Sequence, residues 1–512
     1  MVTALAVALL GAAIAFLATL PYEAELLHTT LARNTSLTPD ARPLTPGVSP
    51  DGLPYGRSTL HFNSSGTACE AWLYTPAKWA AAGPLPVVIM AHGLGAQKDL
   101  GLHRYADAFA RAGLAALLFD YRTFGGSDGE PRHWVSPRRH VEDWRAAVDF
   151  VKGGGLGPQY DTERVSLWGT SFAGGHVLVT AADLPPGAVK SIVAMVPFLD
   201  GIESAKANLR ARGLPGVLRL LAAAAHDKLR AAAATALDRL GSALAPPNTD
   251  STTATGKAQA AASAAAADSP AAAVERLLAA LRPAAADAVS RLREAAAPLL
   301  TPAYVKLLGA PGELALMQLQ PAEIAAYFAK HPKEYQGGWR PLVLARVGLE
   351  TSSYRPTKSL ERLAGLPLLF VSAAEDSLCP AALVRAAAEA AAVAAAPGGG
   401  AEYLELPCDH FSAYSGEHLE VASARMVTFL RKHFGLDEGG SAAASAQGHE
   451  AKSQREEAGA PDEARGSGAD AGAAPAAQRS LEVETVEEGA GGASAREGVD
   501  ENAEAAPKVE GA

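Results

Sequence analysis

The chain has 512 residues, 48% of them hydrophobic and 6% aromatic, and a formal net charge of −10. That length bounds one large domain with additions, or two domains. The charge is uneven: residues 437–512 hold 17 Asp/Glu against 6 Lys/Arg. The remainder is therefore close to neutral, and its balance excludes a nucleic-acid partner as the reading of the charge. Three cysteines (Cys69, Cys379 and Cys408) are too few, and odd in number, for a disulfide-stapled scaffold.

Residues 1–20 form the first segment. Val2 to Leu20 carries no charge and is rich in Ala, Leu, Val and Ile. As a helix these residues span roughly 28 Å at 1.5 Å each, close to a bilayer core. The expectation is a secretory signal or a membrane anchor, although the basic start of a signal is missing. Membrane association through residues 2–20 follows from that reading. Asn34-Thr35-Ser36 and Asn63-Ser64-Ser65 match the N-glycosylation pattern, which is common by chance. Residues 21–56 read as a linker, with five prolines between 34 and 56.

Next, TLHFNSSGTACEAWLYTP at 59–76 alternates like a hairpin with its turn near Ser65-Gly66. Val87 to Met90 is a short apolar run of the buried-strand kind, followed by His92-Gly93-Leu94-Gly95. Glycines there let the backbone swing so that the Leu94 N–H can serve an oxyanion. His92 reads either as a base or as a brace for this loop, and the brace fits better. Ala115 to Phe119 is the next strand, and DYRTFGGSDGEPR at 120–132 is a turn-rich loop in which Asp120 and Arg122 read as loop-fixing partners.

Residues 165–176, VSLWGTSFAGGH, join a strand, a tight turn centred on Ser171 and the start of a helix. This is the pattern of a nucleophile elbow, with small residues flanking a strained serine. The turn lifts the hydroxyl clear of the sheet and aims the Phe172 N–H at a forming oxyanion. Ala173 stands where the pattern has glycine. An incidental serine in a Gly-rich turn is the plain alternative.

Far more chain lies between Pro197 and Pro367 than a strand crossover needs. Residues 199–363 read as a helical cap, with a low-complexity stretch near 242–273 and a helix resuming over 274–297. Tyr327, Tyr335 and Trp339 either line a pocket in it or pack it onto the sheet. In PLLFVSAAEDSLCP at 367–380, Asp376 follows a buried strand, with Glu375 as its rival. In AEYLELPCDHF at 401–411, His410 follows the last strand, and Asp409 beside it reads as a solvated carboxylate. His433 lies too late in the chain to face the same place. Cys379 and Cys408 sit in these two loops, as two buried thiols or as a disulfide clamp. Residues 435–512 read as a disordered acidic tail with no aromatic residue.

With HGLG at 92–95, DYRTFGGSDGEPR at 120–132, LWGTSFAGGH at 167–176, EDSLCP at 375–380 and CDHF at 408–411, the chain resembles the α/β-hydrolase superfamily. The likeness is to its serine-aminopeptidase-like and Xaa-Pro-dipeptidyl-peptidase-like branch, which overlaps dienelactone-hydrolase-like esterases. The resemblance implies an α/β fold with a mostly parallel sheet, helices on both faces and a cap. Its core would comprise 57–198 and 364–434. It implies Ser171 as nucleophile, His410 as base and Asp376 as its orienter, with the Leu94 and Phe172 N–H groups as the oxyanion hole. No cofactor and no metal are implied.

The expected reaction is acyl transfer on a small-molecule ester or thioester with an apolar acyl group. The runner-up is a peptidase, whose substrate ammonium would need an acidic cap residue such as Glu203, Glu313 or Glu323. An acyltransferase on the same triad is a further reading, and a non-catalytic binding protein the last. A histidine base predicts that the rate falls below about pH 6. A location at a membrane or in the secretory pathway follows from residues 1–20, and a cytoplasmic one if they do neither.

Overall fold

The structure, a computed structural model, describes residues 55–77, 83–244, 270–319, 339–395 and 399–436, and four isolated positions, 31, 322, 325 and 329. The hydrophobic start, nearly all of the linker, the core of the low-complexity stretch (245–269), Glu323, Tyr327, Tyr335 and all but the first two residues of the acidic tail lie outside the described residues. Among the described residues no helix is long and apolar enough to cross a membrane.

Two strands open the described chain, β1 (Tyr55–Ser64) and β2 (Thr67–Pro76), paired antiparallel with Ser64 opposite Thr67. The turn is Ser65-Gly66, as the alternation predicted, and both residues have positive φ, the geometry of a tight hairpin turn. Then come β3 (Leu85–Ala91), β4 (Ala115–Phe119), β5 (Tyr160–Thr170), β6 (Ile192–Met195), β10 (Pro367–Ala373) and β11 (Gly400–Leu406). These eight strands form one sheet in the order β1-β2-β4-β3-β5-β6-β10-β11. From β4 through β11 every pairing is parallel.

The strands read as continuous apolar runs because both faces are covered. Along β3, Val87, Ile89 and Ala91 join one core cluster, while Val88 and Met90 join the other. The first face is covered by α2 (Pro137–Lys152), α3 (Phe172–Asp183) and α6 (Ala381–Val393), through side chains such as Trp144, Val177 and Val384. The second is covered by α1 (His103–Arg111) and α7 (Gly416–His433), through Phe109 and Met426.

The cap corrects one expectation: it is not wholly helical. It holds α4 (Gly201–Leu244) and α5 (Pro270–Leu300), which pack through Ala233, Leu237, Val289 and Ala296. It also holds a three-stranded sheet, β8 (Ala315–Gln318), β7 (Tyr304–Gly309) and β9 (Leu342–Leu344) in that order. Gly213, with φ 66° and ψ 175°, breaks α4 into two helices. Inside the cap, Asp227 and Arg346 form a buried ion pair at 2.5 Å, and Asp227 also accepts from the Ala303 N–H at 3.0 Å. The cap meets the core at two loops. The Trp339 indole N–H donates to the Gly95 carbonyl at 3.2 Å, and the His133 Nδ1–H donates to the Leu342 carbonyl at 2.7 Å.

Entry to and exit from the cap lie side by side. The Gly201 N–H donates to the Tyr354 carbonyl at 2.8 Å, and the Thr357 N–H to the Leu199 carbonyl at 3.2 Å. Between them Arg355 pairs with Asp200 at 2.7 Å.

Candidate active site

Ser171 stands between β5 and α3 with φ 53° and ψ −119°, a conformation that L residues rarely adopt. Its surroundings hold it there. The Ser171 N–H donates to the Met195 carbonyl at 2.8 Å, and its own carbonyl accepts from Gly174 and Phe198 at 2.9 and 2.8 Å. The turn needs backbone to pass close to backbone. A Cβ on Gly169 would come within 2.2 Å of the Ala173 carbonyl oxygen, and one on Gly93 within 2.9 Å of the Ser171 Cβ. Ala173 is tolerated where the motif has glycine because it already lies inside α3, where a methyl is at home.

Asp376 and His410 follow β10 and β11, and the structure brings them together. The His410 Nδ1–H donates to Asp376 Oδ2 at 2.6 Å, and both residues are buried. Asp376 Oδ1 accepts from the N–H groups of Leu378 and Cys379 at 2.8 and 2.7 Å, so this carboxylate is fixed at both oxygens. Glu375, its rival, is exposed. Asp409 is not simply solvated as expected: it accepts from the N–H groups of Phe411 and Ser412 and from the Ser412 hydroxyl, and so shapes the His410 turn. Tyr414 steadies that turn from beyond, its hydroxyl 2.5 Å from Thr170 Oγ1. His433 packs against Phe429, away from the site.

Ser171 lies where two cavities meet. The smaller, of about 60 Å³, is lined by Ser171 and His410 together with apolar side chains such as Leu100, Leu307 and Phe411. The larger, of about 240 Å³, runs beneath α4 and the small sheet, past Phe198, Arg212 and Met317. Leu94 borders both. Phe172 is the first residue of α3, so its N–H has no acceptor within the helix, and the residue borders the larger cavity.

Of the two readings for Cys379 and Cys408, the structure has the buried thiols, with no disulfide between them. Cys379 instead hydrogen-bonds Ser171, and burial pushes its thiol well above the usual range, with the Asp376 charge adding to the rise. The signal was available, since Cys379 lies three residues beyond Asp376 in the same loop. Asp376, Cys379 and His410 carry ligand-type atoms within 4.8 Å of one another. The hydrogen bonds to Asp376 and Ser171 account for that grouping.

The loop carrying Leu94 is braced from below. His92 is fully buried, its Nδ1–H donating to the Gly93 carbonyl at 2.9 Å, with Tyr121 and Phe124 edge-on to its ring. Burial pushes its pKa down to about 4, against the opposing charge of Asp120. That places it as a brace, not a base. Lys98, at the loop's far end, is buried between Glu70 and Asp120. Arg122 pairs with Asp143 and Glu142, the loop-fixing role its position suggested.

The family model described as serine aminopeptidase, S33, matches residues 82–304, a span holding the elbow and the Leu94 loop. Together with the sheet order and the elbow, this match identifies the fold. The chain has the α/β-hydrolase fold. It is similar to the quorum-quenching protein AidA of Acinetobacter baumannii, at 38% identity over 161 residues, 31% of this chain and 50% of that one. It is similar to thiohydrolase aneE of Aspergillus aculeatus, at 34% over 115 residues, 22% of this chain and 35% of that one. Polyketide transferase grgF of Penicillium is 33% identical over 145 residues, 28% of this chain and 46% of that one. The matches thus span half or less of the length of these curated relatives. Among solved structures, the α/β-hydrolase GrgF from Penicillium superimposes with a TM-score of 0.48 at 19% identity, over 74% of this chain and 99% of that one.

Proposed function

We propose that this α/β-hydrolase is a serine hydrolase that cleaves carboxylic esters or thioesters through an acyl-enzyme. One observation carries the reading: a strained serine shares a cavity with a histidine whose other ring nitrogen is held by a fixed, buried carboxylate. The thiohydrolases among its relatives support the bond class.

Ser171 Oγ attacks the substrate carbonyl carbon as His410 Nε2 takes the hydroxyl proton. Asp376 keeps the Nδ1 proton in place, so Nε2 is the free base, and stabilises the imidazolium that forms. The carbonyl oxygen becomes an oxyanion between the N–H groups of Leu94 and Phe172. Collapse breaks the bond to the alcohol or thiol, which leaves with the proton from His410. Water then attacks the acyl-Ser171 ester by the same steps in reverse order and releases the acid. Because His410 must reach the leaving atom, the small cavity on its side takes the leaving group and the larger one the acyl chain.

Fluorophosphonate labelling tests the nucleophile, with Ser171→Ala as control; labelling that survives the substitution removes Ser171. A panel of p-nitrophenyl esters, acyl thioesters and aminoacyl amides then tests the bond class. Turnover of amides without esters favours the peptidase, and acyl transfer to an added alcohol in preference to water favours an acyltransferase. From the sequence alone, residues 2–20 are proposed to act as a signal or membrane anchor. Recovery of the expressed chain wholly in the carbonate-soluble fraction, with its N-terminus intact, would overturn that.

A further inference from the structure

Among the described residues, Arg212 is the one ionised side chain lining the larger cavity at Ser171. It ends the first half of α4, immediately before the break at Gly213. Its guanidinium donates to the carbonyls of Ala315 and Leu316 at 2.7 and 2.9 Å and to Asn208 Oδ1 at 2.8 Å. All three acceptors are neutral. A guanidinium has five N–H groups, so these bonds leave others unused, and Nε is buried with no hydrogen-bond partner. Burial lowers its pKa, and no carboxylate among the described residues opposes the shift. Three carboxylates of the neighbouring cap are engaged elsewhere: Asp200 with Arg355 at 2.7 Å, Glu203 with Lys206 at 2.8 Å and Glu313 with Lys306 at 2.8 Å.

A half-buried cation with only neutral partners, in a cavity opening on a nucleophile, is a built receptor for an anion. We propose that Arg212 recognises a carboxylate at the far end of the substrate's acyl chain, so that the preferred substrate is a half-ester or half-thioester of a dicarboxylic acid. This rests on the ester or thioester reading above. The acyl carbonyl sits at Ser171, and the chain runs along Phe198 and Met317. Its carboxylate meets the guanidinium, with the Asn208 and Gln318 amides beside it. A charge-assisted bond to guanidinium is stronger than a neutral one, and poor access of water strengthens it further. The same charge opposes a substrate ammonium in this cavity, which is where an aminopeptidase would need an acid. The apolar acyl group expected from sequence is thereby revised to an apolar chain with an anionic end.

The test uses the full chain and p-nitrophenyl half-esters of dicarboxylic acids of increasing length, each beside a methyl-terminated acyl ester of equal length. At one or more lengths, kcat/KM for the acid-ended chain should exceed that of its methyl-ended partner at least tenfold. Arg212→Gln should bring the ratio towards one, and Arg212→Lys should keep part of it. If Arg212 only holds the Ala315 and Leu316 carbonyls, both variants lower the two substrates in parallel and leave the ratio unchanged, which overturns the proposal. So does a wild-type protein that prefers the methyl-ended chain at every length, a result that needs no variant to fold. A second arm asks whether suberate or a shorter dicarboxylate slows fluorophosphonate labelling of Ser171. Protection without ester or thioester turnover sinks the hydrolase reading and keeps the anion site. Turnover with neither protection nor acid preference does the reverse.

Discussion

The Lys98 ammonium lies 2.5 Å from the Asp120 carboxylate and 2.7 Å from that of Glu70, and all three side chains are buried. Asp120 also accepts from the main-chain N–H of Lys98 at 2.7 Å and of Gly126 at 3.0 Å. Burial alone would raise the Asp120 pKa, but the Lys98 and His92 charges and the Lys98 hydrogen bonds outweigh it and hold the carboxyl low. One carboxylate thus ties the end of the Leu94 loop to the turn after β4. Lys98→Met should therefore cost about 3–5 kcal/mol, because it strands two buried carboxylates. The urea midpoint measures this. A loss under about 1 kcal/mol, the scale of a surface pair, would mean the pair is not dry.

Asp376→Asn should lower kcat about a thousandfold or more and leave KM little changed. The amide presents the wrong hydrogen-bonding group to His410 and favours the wrong tautomer. Steady-state kinetics on any turned-over ester, with fluorophosphonate labelling rates beside it, reads the effect. A fall of less than threefold would send the search for the acid to Glu375.

Stability should fall as the pH drops from about 6.5 towards 4. Burial pushes His92 and His133 down to about 4 and His176 to about 3, and holds His140 well below its ordinary value. Unfolded imidazoles titrate near 6.5. Between these values the unfolded chain binds protons that the folded chain refuses, so acid favours unfolding. Each such histidine contributes a slope of about 1.4 kcal/mol per pH unit at most. Asp143, which burial raises to about 6 against the charge of Arg122, works the other way, one carboxyl against four imidazoles. Urea midpoints between pH 7.5 and 5 should decline steadily, and a flat profile would count against buried neutral rings.

All three cysteines should titrate as thiols after denaturation, with or without reductant. In the folded protein Cys379 should react slowly with iodoacetamide. It is buried and its pKa is raised, and the thiolate is the reactive form. Rapid alkylation of Cys379, found by peptide mapping, would show a thiolate beside Ser171 instead.

The hairpin, the parallel strands and the Ser171, Asp376 and His410 loops were legible because each chemical residue follows a short apolar run with turn residues after it. Local pattern sufficed there. The small sheet of the cap was not legible: β9 has three residues and β8 four, too short for any period to register. Buried polar groups were also hidden. Lys98 and Arg212 look like ordinary surface cations until the fold supplies what surrounds them. So too the chain from Tyr354 through His176 to His140, with contacts of 2.7 and 3.2 Å, joins residues from three separate segments beneath Phe172.

The doorway formed by Leu199–Gly201 and Tyr354–Thr357 has a consequence for how such a protein diversifies. Both ends of the intervening 150 or so residues are pinned to each other by two main-chain bonds and one ion pair. An insertion whose ends already touch can be lengthened, trimmed or exchanged without moving the strands on either side. On the proposed function, the part that chooses a ligand can therefore change hands between lineages while the part that breaks the bond stays put. A chimera in which a relative's segment is spliced at this doorway should inherit that relative's preferences on an unaltered triad.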